Sequence, residues 1–207
     1  MKKIYCAGPL FNPKEKEEMQ EIATILENNG FDVFLPHRDG FEFVNLSESF
    51  IKLGVSDNNA KLILNKAIFT LDVFQVIDSD GLILNINGRV PDEGAMVEAG
   101  IAWNAGKTIV IFKNDARTLI NGNDNPLLLG LANFNVANEI SSIPSIFNKL
   151  FLKDGDKKNK IIDNSRIEKI FKKGQLIFEL SNKSENSDEL CNQLINILEI
   201  KDVPAIR

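Results

Sequence analysis

The feature that most constrains this chain is the stretch between residues 72 and 106, which contains the first strand and the helix of a strand, helix, strand pattern. Residues 81–86 and 107–112 are short apolar runs bounded by polar residues or glycine, which is typical of buried parallel strands. Between them, the Pro-Asp-Glu cluster at 91–93 predicts the start of a helix, and Gly106 predicts its end. Two parallel strands joined by a helix predict a doubly wound α/β domain with a mainly parallel sheet of about five strands.

The other predicted elements of this domain continue the same pattern. They are a strand at 3–7, a helix from Pro13 to Asn29 that Gly30 ends, a strand at 31–35, a helix at about 58–77, a short helix at 127–131 and a last strand at 134–136. The turn after the first strand contains only Gly8, so it is not the Gly-rich dinucleotide fingerprint. Ligands bind at the carboxyl ends of parallel strands, so we expect the chemistry near residues 87–94.

The composition changes after Phe151, where a lysine-rich segment at 153–160 predicts a linker. Beyond it, the sequence predicts a helix ended by Gly174, a short strand at 176–178 and an amphipathic helix at about 187–200. The predicted organisation is a domain at 1–150, followed by a helical C-terminal appendage at 151–207. The sequence does not assign a role to this appendage.

Charge and composition exclude several classes of function. The chain has 207 residues, 24 basic and 29 acidic side chains, and a formal net charge of −5. No large basic patch occurs before the C-terminal part, so neither nucleic acid nor a membrane is an expected partner. The apolar run at the start of the sequence is too short for a signal peptide, and no apolar run approaches transmembrane length. We therefore expect a cytoplasmic protein.

The cysteines and the histidine give no sign of a disulfide framework or a metal site. Cys6 and Cys191 lie far apart, one in a predicted strand and one in a predicted helix, which indicates reduced core thiols. His37 is the only histidine, and no Cys or His cluster has metal-ligand spacing. We therefore expect neither a metal nor a cofactor.

Glu98 is the residue of the central helix that most needs an explanation. On a helix it shares a face with Gly94 and Ala102, a small apolar face that we expect to pack on the sheet. A carboxylate there is costly unless it is paired, and residues 90–106 contain no Lys, Arg or His. Gly94 leaves a notch through which a ligand could approach Glu98. The alternative is an ordinary exposed glutamate beside this face.

Other polar residues have structural interpretations that stay open beside a functional one. Tyr5, the only tyrosine, is either a core residue or a donor whose hydroxyl reaches a carboxylate at the strand end. Asp92 suits a helix cap. Asp72, with Gln75 three residues later, fits a local capping arrangement. Asn125 fits a turn before a proline.

Residues 37–43 follow the second strand and mix charged with aromatic side chains, including Arg38 and Asp39. A loop of this composition at the carboxyl end of a strand suits recognition of a nucleobase. A solvated loop folded over its two phenylalanines is the alternative.

Several short motifs occur in order along the first three quarters of the chain. They are IYCAGPLF at 4–11, LPHRDG at 35–40, DGLI at 80–83, PDEG at 91–94 with EAG at 98–100, and NPL at 125–127. This ordered set resembles the nucleoside 2-deoxyribosyltransferase family. The resemblance agrees with a flavodoxin-like or Rossmann-like fold and implies an enzyme that needs no metal or cofactor.

The resemblance also implies roles for individual residues. Glu98 matches the nucleophile, Tyr5 matches the tyrosine that hydrogen-bonds it, and Asp92 is the candidate acid. The candidates for substrate binding are Asp72, Gly8, Phe11, Arg38, Asp39, Gly94, Asn125 and Leu127. In the family, residues matching Asn125 and Leu127 are donated to a neighbouring subunit's site, which implies a homo-oligomer with shared sites.

The reaction implied is transfer of a 2-deoxyribosyl group between nucleobases, most simply purines, through a covalent intermediate on Glu98. The substrates would be a nucleoside and a free nucleobase. One alternative is a hydrolase that cleaves deoxynucleoside 5-monophosphates. That enzyme would expose backbone N–H groups to phosphate after the first strand, where this chain has Pro9, Leu10 and Phe11. A nucleoside-binding sensor without catalysis is the other alternative.

Overall fold

The computed structural model of the chain describes residues 1–40, 43–88, 91–116, 124–154, 165–183 and 186–200. Most of the predicted linker at 153–160 lies outside these ranges, as do Phe41 and Glu42 of the predicted recognition loop. Contacts divide the chain into two units. The first comprises Met1–Asp39 and Gln75–Ile162, and the second comprises Gly40–Phe74 and Asp163–Arg207.

The first unit contains a parallel sheet and the helices that cover it. Its elements are β1 (Lys3–Ala7), α1 (Pro13–Asn28), β2 (Asp32–Phe34), α2 (Pro36–Asp39), β3 (Gly81–Asn85), α5 (Glu93–Asn104), β4 (Thr108–Phe112), α6 (Pro126–Leu131), β5 (Val136–Ala137) and α7 (Ile143–Asp154). The five strands are all parallel, in the order β2-β1-β3-β4-β5. The predicted doubly wound α/β fold is confirmed.

Alternation along β1 shows how this sheet separates two cores. Ile4 and Cys6 are fully buried on the face that packs against α1 and α7. Tyr5 and Ala7 point to the other face and pack with Ala99 and its neighbours on α5. Successive side chains of a strand point to opposite faces, so a strand covered on both faces is apolar throughout. The same alternation places the hydroxyl of Tyr5 on the side of α5.

The second unit is helical. Its elements are α3 (Phe43–Lys52), α4 (Asp57–Asp78, of which 75–78 count with the first unit), α8 (Ser165–Lys183) and α9 (Ser187–Ile197). Their shared core contains Phe50, Ile63, Leu71, Ile177 and Leu194. The C-terminal helices therefore pack with residues 43–74, while the sequence predicted a helical appendage that begins at residue 151. That boundary also falls inside α7.

Two predictions near the C-terminus are wrong. Residues 176–178 are part of α8, and Gly174 lies inside this helix and does not end it. A Cβ at Gly174 would lie 2.4 Å from the Cβ of Phe74 and 2.5 Å from the carbonyl oxygen of Thr70. The glycine therefore allows α8 to approach the backbone of α4, a packing role that its helix-breaking tendency hides in the sequence.

Both cysteines are buried and free. None of the helices in the described ranges has the length and apolar character needed to span a membrane.

Candidate functional site

The candidate site lies at the carboxyl edge of the sheet, where the chain leaves β1 and β3. Gly8 follows β1 and lies against the end of β3, since a Cβ there would be 2.8 Å from the Cβ of Asn85. It would also lie 2.6 Å from the sulfur of Met19 on α1. Gly8 thus allows the β1 to α1 turn to pack closely against neighbouring elements, which is a structural requirement for this position.

The hydroxyl of Tyr5 donates a hydrogen bond of 2.6 Å to Oε1 of Glu98. A separation this short is typical of a hydroxyl bound to an ionised carboxylate. The Tyr5 ring is fully buried and stacks on Phe34, with ring centroids 5.6 Å apart. The core thus holds the ring in place, and the ring in turn orients the carboxylate of a residue 93 positions away along the chain.

Glu98 is half-buried at the margin of the face by which α5 packs on the sheet. The fully buried positions of this helix are Ala95, Ala99 and Ala102. The sequence prediction placed Gly94 on the buried face, but Gly94 is exposed. The packed face is therefore rotated slightly from the predicted one. This rotation leaves the Glu98 carboxylate at the boundary between core and solvent, where a ligand could reach it.

Asp92 is the N-cap of α5, and its Oδ1 accepts a hydrogen bond of 3.0 Å from the amide of Gly94. Burial raises the pKa of the Asp92 carboxyl, while hydrogen bonds from the amides of Gly94 and Ala95 act in the opposite direction. The structural interpretation of Asp92 as a cap therefore applies. A raised pKa also suits a general acid, because the proton is retained to higher pH.

Asp92 and Glu98 lie in the first two turns of α5. Six residues of helix correspond to about 9 Å of rise, and the side chain of Glu98 leans back towards the N-terminus of the helix. Gly94 lies between them. A Cβ at Gly94 would meet only Asp92, at an ordinary 3.5 Å, so packing within the described protein does not require a glycine. Gly94 is exposed to solvent, so a ligand could approach this part of the helix.

The β1 to α1 turn is closed by a capping box. The side chain of Asn12 accepts from the amide of Glu15 at 3.0 Å. In return, Oε2 of Glu15 accepts from the amides of Phe11 at 2.8 Å and Asn12 at 3.2 Å. The Phe11 side chain is 75% exposed at this edge. Phe11 is thus available to a ligand, whereas its amide is already bound to protein.

Asparagine side chains form a network of hydrogen bonds at this edge of the sheet, which was not predicted from the sequence. Nδ2 of Asn85 donates to Glu18 at 2.7 Å, and Nδ2 of Asn87 donates to Glu18 at 3.1 Å. Asn87 also donates to Oδ1 of Asn114 at 2.8 Å. The signal in the sequence was two asparagines at the end of an apolar strand, Asn85 and Asn87.

A cavity of about 300 Å³ opens beside this network. Its described lining consists of Pro9, Asn12, Lys14, Glu15, Glu18, Asn87, Gly88, Asn114 and Asp115. Three of these side chains are acidic and one is basic. In the described part of the chain, no group of three or more His, Cys, Asp and Glu side chains is arranged to hold a metal ion.

Arg38 and Asp39, predicted to bind substrate, are engaged in bonds within the protein. The guanidinium of Arg38 contacts Asp39 at 2.7 Å and Glu27 at 2.8 Å. Oδ2 of Asp39 also accepts from the amide of Leu35 at 2.8 Å. These residues lie in α2, a single helical turn where the sequence predicted a loop. Any contact of theirs with a base would be made in addition to this structural role.

Asp72 lies in the interior of α4, in the second unit. The helix continues for six residues beyond it, so the local capping interpretation is wrong. Burial raises the pKa of the Asp72 carboxyl to about 7. Its predicted contact with substrate stays a prediction.

Asn125 is the N-cap of α6, and its Oδ1 accepts from the amide of Leu127 at 3.0 Å. The side chain of Leu127 is 80% exposed. This arrangement agrees with the structural interpretation of Asn125, and it leaves an apolar side chain in solvent at the start of the helix. That both residues contribute to the site of a neighbouring subunit stays a prediction.

The fold of this chain resembles that of one solved structure, and a second was matched at a lower score. A solved structure of a conserved protein from Enterococcus faecalis V583 shares 20% identity with a TM-score of 0.54, covering 72% of this chain and 99% of its own. A CMP N-glycosidase from Clostridium botulinum, BcmB, shares 16% identity with a TM-score of 0.42, covering 71% of this chain and 99% of its own. No curated protein matched the sequence.

The family comparison covers most of both units. The model of the nucleoside 2-deoxyribosyltransferase family matches residues 4–187, which include β1, all of α5 and most of α8. The match thus extends beyond the three quarters of the chain that carry the sequence motifs. This chain belongs to the nucleoside 2-deoxyribosyltransferase family.

Proposed function

We propose that this protein transfers a 2-deoxyribosyl group from a purine nucleoside to a second purine base, through a glycosyl-enzyme intermediate on Glu98. The observation that carries the proposal is the 2.6 Å hydrogen bond from Tyr5 to a half-buried carboxylate at the carboxyl edge of the sheet. Such a bond holds the carboxylate ionised and oriented, which a nucleophile requires. The proposed biological role is purine salvage.

The first half of the reaction replaces the bond to the base by an ester bond. An oxygen of the Glu98 carboxylate attacks the anomeric carbon, and the bond from that carbon to the base nitrogen breaks. The electron pair of the broken bond goes to the base, which takes the proton of Asp92. The raised pKa of Asp92 favours the protonated form that this step needs.

The second half reverses these steps with another base. The incoming base attacks the anomeric carbon, the ester bond to Glu98 breaks, and Asp92 recovers a proton from the base nitrogen. Two displacements retain the configuration at the anomeric carbon. The exposed surface at Gly94 is the proposed route by which the sugar reaches Glu98.

The test is incubation with deoxyinosine and adenine, followed by chromatography, for the wild type and a Glu98→Gln variant. We expect the wild type to form deoxyadenosine and the variant to lose at least about a thousandfold in rate, as is typical for loss of a covalent nucleophile. Release of hypoxanthine and deoxyribose alone would instead indicate a hydrolase. Binding without turnover in the wild type would indicate a sensor.

We further propose a homo-oligomer in which Asn125 and Leu127 serve a neighbouring subunit's site. Its support is the exposure of large apolar side chains on α5 and α6, where Val97, Trp103 and Leu127 are between 59% and 80% exposed. Sedimentation measures the subunit number. Mixing inactive Glu98→Gln subunits with Leu127→Asp subunits should restore activity if sites are shared. In a mixed oligomer, one site then combines an intact Glu98 from one subunit with an intact Leu127 from the other. No restoration would argue against sharing.

A further inference from the structure

We propose that Glu15 and Glu18 form a carboxylate wall that makes the enzyme select substrates without a 5′-phosphate. This inference rests on the proposed function, since it concerns which deoxynucleosides the site accepts. It assigns a specificity role to two residues on α1 that belong to none of the motifs in the sequence.

The first observation is that the anion position at the start of α1 is already filled. The start of a helix after a parallel strand is a favourable phosphate site, because free amides point outward there. In this chain the Glu15 carboxylate accepts from the amides of Phe11 and Asn12 at 2.8 and 3.2 Å. The amide of Glu15 itself donates to the side chain of Asn12 at 3.0 Å. A phosphate would have to displace the protein's own carboxylate.

The second observation is the environment of Glu18, one turn along the same helix. Its two carboxylate oxygens accept from the neutral amides of Asn85 at 2.7 Å and Asn87 at 3.1 Å. Within the described ranges, no lysine or arginine forms an ion pair with Glu15 or Glu18. Unlike an ion pair, a hydrogen bond from a neutral amide does not cancel the charge of a carboxylate.

The third observation is that both carboxylates line one cavity, of about 300 Å³. Asp115 also lines the cavity, but Lys113 lies 3.8 Å from its carboxylate and offsets its charge. The cation of the described lining is Lys14, whose side chain is exposed. A phosphate monoester carries nearly two negative charges at neutral pH. Its entry would bring like charges together, a penalty that is large where the protein limits solvent.

The wall lies close to the proposed chemistry. The cavity is lined by Pro9, which follows β1, and by Asn87 and Gly88, which follow β3, so it opens at the edge of the sheet from which α5 begins. The proposal places the 5′ end of a substrate bound at Asp92 and Glu98 in this cavity. A phosphate on that substrate would meet the wall, whereas a hydroxyl could donate a hydrogen bond to it.

The experiment compares deoxyadenosine with its 5′-monophosphate as donors, for the wild type, Glu15→Gln and Glu18→Gln. We expect kcat/KM of the wild type to favour the nucleoside by a hundredfold or more. The ratio of monophosphate to nucleoside should rise about tenfold or more in each variant, because one repelling charge is lost. Glutamine still suits a capping box and the amide network, so both variants are expected to fold.

The matched control is Glu21→Gln, which removes an exposed charge of α1 outside the described lining of the cavity. It should leave the ratio unchanged. Wild-type turnover of the monophosphate equal to that of the nucleoside would overturn the proposal. So would an unchanged ratio in both cavity variants, or an equal rise in the control.

Calorimetry with inorganic phosphate separates this inference from the proposed function. The wild type should bind no phosphate, and Glu15→Gln or Glu18→Gln should gain binding that salt weakens. If neither donor reacts with the wild type or with any variant, the proposed function fails. The proposal about Glu15 and Glu18 is then decided by phosphate binding alone. Gain of phosphate binding in the variants would then support the wall, and equal binding by wild type and variants would overturn it.

Discussion

Helices α1 and α5 begin at the same edge of the sheet but use their first turns differently. At α1, Asn12 and Glu15 satisfy each other's backbone amides, and the carboxylate of Glu15 binds two N–H donors. At α5, the cap is Asp92, and the third helical position is Ala95, which has no side chain to complete a capping box. One turn is closed by its own side chains, whereas the other presents a carboxyl group.

The difference shows how one structural position can serve stability or chemistry. Two backbone amides donate to the side chain of Glu15 and hold it against the start of its own helix. Burial opposes the amides at Asp92 and raises the pKa of its carboxyl, so this group can carry a proton. The next turn of α5 supplies Glu98, which Tyr5 holds. The comparison predicts that chemistry depends on α5, and that α1 controls folding and selectivity.

The largest effect is expected for Asp92→Asn. Asparagine caps a helix as well as aspartate does, so folding is retained, but the proton donor is lost. We expect kcat to fall about 10²–10⁴-fold, the usual contribution of a general acid. In the wild type, kcat should fall as the pH rises through the raised pKa of Asp92. This decrease should be absent from the residual activity of the variant.

A donor that needs no proton provides the control for Asp92→Asn. A purine deoxynucleoside methylated at N7 carries a positive charge and leaves as a neutral base. The variant should therefore recover most of its rate with that donor, while Glu98→Gln should not. A variant that stays equally slow with both donors would show that Asp92 acts only as a cap.

The second effect, for Tyr5→Phe, tests whether the core positions the nucleophile. The variant keeps the ring that stacks on Phe34 and removes the donor to Glu98. A hydrogen bond to a charged group is worth about 1.5–3 kcal/mol, so we expect kcat to fall roughly 10–100-fold. KM should change little, since the loss concerns the reacting carboxylate. Unchanged kcat would assign Tyr5 to the core alone.

The third effect extends the comparison to a carboxyl inside a helix, Asp72. Burial raises its pKa from 3.8 to about 7 in the folded protein. Between these values the folded state binds more protons than the unfolded state, so stability falls as the pH rises from about 4 to about 7. Asp72→Asn removes this loss. We expect it to gain up to about 4 kcal/mol over the wild type at pH 8 and little or nothing at pH 4.

Thermal unfolding at the two pH values measures the gain in Asp72→Asn. The expected difference at pH 8 corresponds to at most roughly 8–16 °C in melting temperature. The control is Asp57→Asn, which removes an exposed carboxylate near the start of the same helix. A gain for Asp72→Asn that is the same at both pH values would argue against a protonation effect.

The sequence predicted the fold well where local signals and packing agree. The strand at residues 3–7 and the helix starting at Pro13 were predicted correctly, because alternation and proline act locally. Gly174 misled the prediction, since a glycine that allows close helix packing looks like one that ends a helix. Helix α3 was missed, because its aromatic start suits a loop equally well.

The site was predictable only in part, for a similar reason. The positions of Glu98 and Asp92 near a strand end follow from the strand, helix, strand pattern. The contact between Tyr5 and Glu98 joins residues 93 positions apart, and only the resemblance gave it in advance. The bonds of Arg38 and Glu18 depend on neighbours that a local pattern does not contain. Side-chain partners across the sheet edge therefore required the structure.

The smallest effect is expected at the closed turn, for Asn12→Ala. This change removes the side chain that accepts from the Glu15 amide at 3.0 Å. Loss of an N-cap costs about 1 kcal/mol, so the melting temperature should fall by roughly 2–4 °C. The pH at which kcat decreases should stay where it is in the wild type, because Asp92 and its burial are untouched. If the decrease in kcat moved to another pH, the turn before α1 would influence the protonation of Asp92. The starts of α1 and α5 would then not have separate roles.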